Sequence, residues 1–267
     1  MNADTPSPSL VARRDARVRP GLRRPGPPTF GTWVKLPTLE TLELIAQAGF
    51  EFVVIDLEHS PLGIGDAYRL IMGAQALEMA ALVRVTDRSG NQFQRVLDAG
   101  ADGILVPQVA SVELAEAAVR GMTFAPRGVR GMGLTARAGS WGLAGVDGYL
   151  ATGDDIVRGI QIEDLDALRD ADRIVGVDGL DAVFLGMGDL TMSSGRRPDD
   201  PEIVEATDHL LAVTADLGMP CGAAVGTAAA VATAAERGFS FIMVSNDTSL
   251  FGRAAADLGR AVRDALG

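Results

Sequence analysis

Lysine is almost missing from this sequence: Lys35 is the only one in 267 residues. A reaction that runs through a Schiff base would have to rest on that one side chain. Cysteine is equally scarce, and with Cys221 alone no intrachain disulfide can form. Nothing therefore demands an oxidising compartment, and a cytoplasmic home is the default expectation. Aromatic residues make up only 5% of the chain while glycine, alanine and aliphatic residues abound, which disfavours an aromatic-rich β-sandwich and suits buried strands alternating with helices. Apolar runs stay well short of the roughly 18 residues of a membrane-spanning helix. The Arg13-Arg14 pair is not followed by the apolar stretch of a secretory or twin-arginine signal, so a soluble protein is expected. Basic charge is also in deficit: the formal net charge is −11. Such a body repels a phosphate backbone and has no Lys/Arg stripe to neutralise one, which argues against nucleic-acid binding.

The one concentration of basic charge is near the N-terminus, where Arg13, Arg14, Arg17, Arg19, Arg23 and Arg24 face only Asp4 and Asp15. Residues 1–28 mix these arginines with proline and serine and lack apolar periodicity, so they are read as a disordered tail. From there to residue 267, short β-branched or apolar runs alternate with stretches of helical period, the pattern of successive βα units. Eight candidate strands fall at 29–36, 51–56, 80–85, 103–107, 158–163, 182–186, 220–225 and 241–245. One α/β domain over 29–267, a (β/α)₈ TIM barrel, accommodates all eight. Helices at 38–48, 91–99, 111–120 and 228–237 are expected to stop at Gly49, Gly100, Gly121 and Gly238, each where a left-handed cap residue belongs. The one long connection, 124–157, is glycine-rich and carries Arg127, Arg130 and Trp141; a segment of that size is expected to be functional or to pack on a neighbouring subunit.

In such a barrel the chemistry sits at the C-terminal ends of the strands. Reading off those ends gives Trp33 and Lys35, Asp56 to His59, Arg84, Gln108, Gln161 with Glu163, Asp189, and Ser245 to Asp247. Glu163 and Asp189 end adjacent strands and are candidates to share a hard divalent cation, with water and substrate oxygens completing the shell. Helix capping or a solvated salt bridge is the alternative for each. His59 lies just past a strand, where a neighbouring carboxylate such as Asp56 can orient it for proton exchange. Arg84 ends an apolar strand, where its fork suits an oxyanion; a structural salt bridge is the alternative. The glycines at 186 and 188 leave room for backbone N–H groups near Gly188 and Asp189 to cradle a carboxylate. His209 lies in an ordinary amphipathic helix and is given no role.

The motifs "GTW" at 31–33, "IDLEHSP" at 55–61, "VRV" at 83–85, "LVPQV" at 105–109, "PRGVRG" at 126–131, "QIE" at 161–163 and "GMGDLTMS" at 186–193 carry a resemblance. Over about residues 30–260 the chain resembles the class II, metal-dependent pyruvate aldolases of the 2,4-dihydroxyhept-2-ene-1,7-dioate and 2-keto-3-deoxyglucarate type, and more distantly citrate-lyase-type lyases. That resemblance implies a barrel of the phosphoenolpyruvate/pyruvate type that cleaves 4-hydroxy-2-oxo acids to pyruvate, or a similar 2-oxo acid, and an aldehyde through a metal-bound enolate. It implies Mg²⁺ or Mn²⁺, with Co²⁺ as a further option, on Glu163 and Asp189. His59 is then an acid/base acting through water, Arg84 steadies the enolate, and Trp33 and Gln161 line the site, beside the carboxylate cradle read above at Gly188 and Asp189. Asp98, in "VLDAG", matches an aspartate that family members place near the histidine of an adjacent subunit, which implies a homo-oligomer, a hexamer or trimer of dimers; Asp56 is the in-chain alternative. Two departures stand out: Gly186-Met187-Gly188-Asp189 replaces the family's usual "GPAD", and residues 137–148 follow no family pattern. A CoA-thioester lyase, an oxaloacetate decarboxylase, a tailoring enzyme of secondary metabolism, or a non-enzymatic 2-oxo-acid-binding barrel are the rival expectations.

Overall fold

The computed structural model describes residues 27–267; the reading of the N-terminal tail as disordered falls outside the described residues but for the last two of its positions. Eight strands, β1 (Thr29–Val34), β2 (Phe52–Asp56), β3 (Ala80–Arg84), β4 (Gly103–Val106), β5 (Val157–Ile162), β6 (Ala182–Leu185), β7 (Cys221–Val225) and β8 (Phe241–Asn246), close into one barrel in chain order. Every pairing is parallel, and β8 returns to pair with β1. The expected (β/α)₈ barrel is therefore present, with strand boundaries within two residues of those read from the sequence.

The side-chain period of two sorts each strand into an outward face and an inward one. Val53, Ile55, Ala81, Val83, Ile104, Val106, Ile160 and Ile162 pack beneath the helices, while Trp33, Phe52, Val54, Leu82, Leu105, Val157, Phe184, Phe241 and Met243 fill the barrel. Few aromatics are present, but several are spent here: Phe184 meets Trp33 edge-on at 5.6 Å and Phe241 at 6.1 Å. Glycine makes room for them, since a Cβ on Gly222 would lie 2.2 Å from the Phe241 ring. The same parity carries the inward face onward from Trp33 to Lys35, Val54 to Asp56, Leu82 to Arg84, Gly159 to Gln161 and Glu163, and Phe184 to Gly186.

The seam between the last and first strands is held by Asp247, whose buried carboxylate accepts the backbone N–H of Lys35 (2.9 Å), Leu36 (2.9 Å) and Thr248 (2.7 Å). Asp247 begins the C-terminal helix Asp247–Leu266, and it is the only residue of that helix to be buried. Leu250, Phe251, Leu258, Val262 and Leu266 lie exposed along it. No described helix is long and apolar enough to cross a membrane.

Helices end as expected at Gly49, Gly100 and Gly238, all with positive φ. Gly121 is the exception, because the helix Val112–Met122 runs through it to Thr123. Its lack of a side chain serves packing instead: a Cβ there would lie 2.8 Å from Phe93 Cδ2. The long connection also has structure of its own, a 3₁₀ turn Arg137–Gly142 and a helix Gly145–Ala151. It is pinned by Tyr149, fully buried, whose hydroxyl donates to Asp98 Oδ1 (2.8 Å) and accepts the Gly133 N–H (2.9 Å). Buried Cys221, its thiol pushed up to about 12 by desolvation, is chemically quiet.

Candidate active site

Two groups of charged side chains stand at the C-terminal mouth of the barrel. The first joins β1, β2 and β3. Asp56 and Arg84 are register partners on adjacent strands, so their side chains rise side by side. Arg84 grips the carboxylate in a fork, Nε to Oδ1 at 2.9 Å and Nη2 to Oδ2 at 2.7 Å, and lies over the Trp33 ring at 4.2 Å. Lys35 Nζ approaches the same carboxylate at 3.2 Å. Burial by itself would raise the Asp56 pKa, but the Arg84 hydrogen bond and charge, with the His59 N–H and Lys35, hold it below the usual carboxylate range. Removing one partner of so buried a pair costs about 3–5 kcal/mol.

Asp56 does not orient the His59 ring by a direct hydrogen bond. Its Oδ1 instead accepts the backbone N–H of Glu58 (3.1 Å) and His59 (3.2 Å), which shapes the turn after β2. The His59 ring is half exposed at the mouth, with Nε2 3.7 Å from Glu58 Oε2. Glu58, which strand-end reading left without a role, is nearly buried; it also lies 3.3 Å from Arg84 Nη1, and Gln108 Nε2 reaches its other oxygen at 3.4 Å. Burial pushes its pKa up.

The second group joins β4, β5 and β6. Glu163 accepts the backbone N–H of Gln108 at 2.7 Å on one oxygen and the Gln161 amide on the other. Gln108 has φ of +55°, a conformation unusual for a residue with a side chain, and that bend is what aims its N–H at the carboxylate. Gly186 leaves them room, since a Cβ would lie 2.6 Å from Gln161 Nε2 and 2.8 Å from Glu163 Oε2 and would push one of them aside. Asp189 lies in the first turn of the helix Met187–Ser194, whose leading N–H groups at 187–189 have no intrahelical acceptor. Glu163, Asp189 and Gln108 line one cavity of about 330 Å³, with Val109, Ala110 and Met192 as its apolar wall.

Neither Glu163 nor Asp189 has a basic partner among the described residues. Burial raises the Glu163 pKa to about 7, and the nearby Asp189 and Glu58 charges push in the same direction. Unpaired carboxylates crowded at one cavity are what a divalent cation would relieve. Among the described residues no cluster of three His, Cys, Asp or Glu side chains is arranged around one point, so the protein would contribute two ligands and leave the rest of the shell open. The donor set fits the metal expected from sequence. Buried Gln161 Oε1, with no hydrogen-bond partner, is a further polar atom at this place.

A family model described as HpcH/HpaI aldolase/citrate lyase matches residues 29–254. The chain belongs to that family. It is 32% identical over 245 residues to a hydroxypyruvate/pyruvate aldolase of Sagittula stellata, covering 91% of this chain and 94% of the relative. It is equally identical, 32% over 237 residues, to a 4-hydroxy-2-oxo-heptane-1,7-dioate aldolase of Klebsiella pneumoniae, covering 87% and 89%. A crystal structure of a HpcH/HpaI aldolase/citrate lyase family protein from Burkholderia cenocepacia superposes with a TM-score of 0.85 at 29% identity, over 92% of this chain and 98% of that one. This HpcH/HpaI member is thus an enzyme, a carbon–carbon lyase.

Trp33, Asp56, His59, Arg84, Gln161, Glu163, Gly188 and Asp189 all stand at the mouth. Asp98 does not: it ends the helix Gly90–Asp98 and is held by Tyr149 and, at 3.2 Å, by Arg130. His209 is on the surface near Asp172.

Proposed function

We propose that this enzyme cleaves and forms 4-hydroxy-2-oxo acids, exchanging them with pyruvate or a similar 2-oxo acid and an aldehyde, with Glu163 and Asp189 as the ligands of a divalent cation. Mg²⁺ and Mn²⁺ suit two carboxylates with an otherwise open shell, and Co²⁺ is a further candidate. When bound, the cation supplies an electrophilic centre that polarises the keto group of the 2-oxo acid. The observation that carries this reading is the contrast in charge: Glu163 is buried at a cavity it shares with Asp189, and no basic side chain of the described residues balances either.

The chain's own groups divide the remaining work. The free N–H groups opening the helix at Met187, that of Gly188 among them, receive the substrate carboxylate. Arg84 keeps N–H groups beyond the two given to Asp56, and these offset negative charge growing on the keto oxygen. Trp33, stacked under that guanidinium, keeps it in plane. His59, reaching solvent, exchanges the proton of the 4-hydroxyl through water, with Glu58 as its nearest charged neighbour. Lys35 is not a convenient nucleophile, because its N–H groups are given to Asp56 and to a backbone carbonyl.

The same reading makes the chain a subunit of a homo-oligomer. The C-terminal helix exposes Phe251, Leu258 and Val262, and the connection 124–157 exposes Val129, Met132, Trp141 and Leu143. Asp98 beside that connection, with no contact to His59 of its own chain, is then placed to serve a second copy. Light scattering of the wild type and of Phe251→Glu tests this; a monomeric wild type refutes it.

The activity is tested by solvent-deuterium exchange into the methyl group of pyruvate, with and without Mn²⁺, alongside cleavage of 4-hydroxy-2-oxo acids. Metal-stimulated exchange that survives unchanged in Glu163→Gln and Asp189→Asn overturns the assignment.

A further inference from the structure

The proposed chemistry leaves the only lysine without a role, yet its contacts are specific. Lys35 continues the inward face of β1 two residues beyond Trp33, and the Asp247 carboxylate fixes its backbone N–H. From that anchored stem Nζ donates to the His59 carbonyl at 3.3 Å while lying 3.2 Å from Asp56 Oδ2. Among the described residues, Lys35 and Asp56, the last residue of β2, are the side chains outside the turn that hydrogen-bond to its backbone, and Lys35 alone reaches it from another strand.

The turn itself is otherwise held locally. Asp56 Oδ1 takes the N–H groups of Glu58 and His59, and Ser60 Oγ donates to the Asp56 carbonyl. The His59 ring gains little from packing, being 52% exposed with only Glu58 near its Nε2. Its direction therefore depends on where the backbone of residue 59 is put. Asp56 already has a full cationic partner in Arg84, so a second cation is not needed to balance it. As an ion pair, partly exposed Lys35 contributes little stability. What it adds is a hold on the His59 carbonyl that no other side chain provides.

We propose that Lys35 is a positioning residue for His59: by bridging the Asp56 carboxylate and the His59 carbonyl, it ties the end of β1 to the turn after β2 and fixes the histidine at the mouth. The functional consequence rests on the proton-relay role given to His59, but the positional claim does not. An error of about 1 Å in placing a catalytic group costs up to about 100-fold in rate.

The test uses the fact that His59 and His209 are the only histidines. In the full-length protein loaded with Mg²⁺, ring proton–nitrogen correlation spectra at one pH should give two histidine signals, assigned with His209→Gln. In Lys35→Met the His59 signal should shift or broaden while that of His209 stays, and Lys35→Arg should restore it. Cleavage of a 4-hydroxy-2-oxo acid should lose about 10- to 100-fold in kcat in Lys35→Met with KM changed by no more than about twofold, and recover in Lys35→Arg. Thermal melts keep the comparison to folded protein, and if Lys35→Met does not fold, Lys35→Gln takes its place. An unmoved His59 signal in the folded neutral variant overturns the proposal, as does a signal that moves but is not restored by arginine. If the wild type cleaves no such acid, the aldolase reading fails while the spectra still decide the role of Lys35.

Discussion

The two sides of the barrel mouth handle charge in opposite ways. On β1–β3, Asp56 is matched by Arg84 and Lys35, and it is fully buried because it is matched. On β5–β6, Glu163 is nearly as buried, yet its close polar partners are a backbone N–H and an amide, and its charged neighbours are other acids. One side has the character of finished structure and the other of a place kept ready for a ligand. Asp56 and the two acids opposite should therefore respond differently to mutation: loss of the Asp56 charge should first cost the fold, whereas loss of the Glu163 or Asp189 charge should disable the enzyme with the fold intact.

The sharpest attempt to break that contrast exchanges carboxylates for amides on both sides. Glu163→Gln and Asp189→Asn should lose Mn²⁺ binding in titration calorimetry and at least about 1,000-fold in activity, while the metal-free protein melts no lower than wild type. Asp56→Asn should instead destabilise the fold by about 3–5 kcal/mol, measured by urea unfolding, because Arg84 is left buried without its partner. Metal-free Glu163→Gln unfolding as readily as Asp56→Asn would erase the distinction.

Dependence on pH sharpens it. The Glu163 pKa rises from 4.5 to about 7 on folding, so the stability its neutral form contributes is complete below 4.5 and is lost as pH rises through 7. The metal-free wild type should thus weaken relative to Glu163→Gln between pH 5 and 8, by on the order of 3 kcal/mol at most. Mn²⁺ competes with that proton, so its affinity should fall by up to about tenfold per unit below pH 7. Asp56 runs the other way: its pKa is depressed, so its contribution is present above 3.8 and lost only as pH falls through its lower folded value.

A smaller effect is expected at Gly186. Alanine there must displace Gln161 or Glu163, and Mn²⁺ affinity should drop by about 1–3 kcal/mol with the barrel intact by circular dichroism. The smallest concerns Gln108→Gly, which relieves the positive φ yet keeps the N–H donated to Glu163. A gain of no more than about 1 kcal/mol in stability, with metal affinity unchanged, is expected from melts and titration.

These residues also mark what sequence alone reveals. Strand parity makes the inward line from Gln161 to Glu163 readable, and the order of βα units places Asp56, Arg84 and Asp189 at one mouth. Partner choice is not readable. Asp56 pairs with Arg84 instead of the His59 ring because register sets the two strand ends level, a fact of alignment between strands that spacing does not encode. Glu58 lies in a turn without period, so nothing distinguishes it from a solvated acid. Gln108 contributes a backbone group, and the left-handed bend that aims it leaves no mark in residue type. Gly121 reads as a helix stop because a glycine that ends a helix and one that admits a phenylalanine are spelled alike.

The Asp247 carboxylate joins the first strand to the start of the last helix, and past that joint the helix rests on little of its own barrel. Closure of the ring is thus complete by about the first turn of that helix, and its remaining turns are free to answer to other demands. Fusions or cuts beyond that turn should spare the barrel, whereas a single change at Asp247 should loosen the joint on which Lys35 stands.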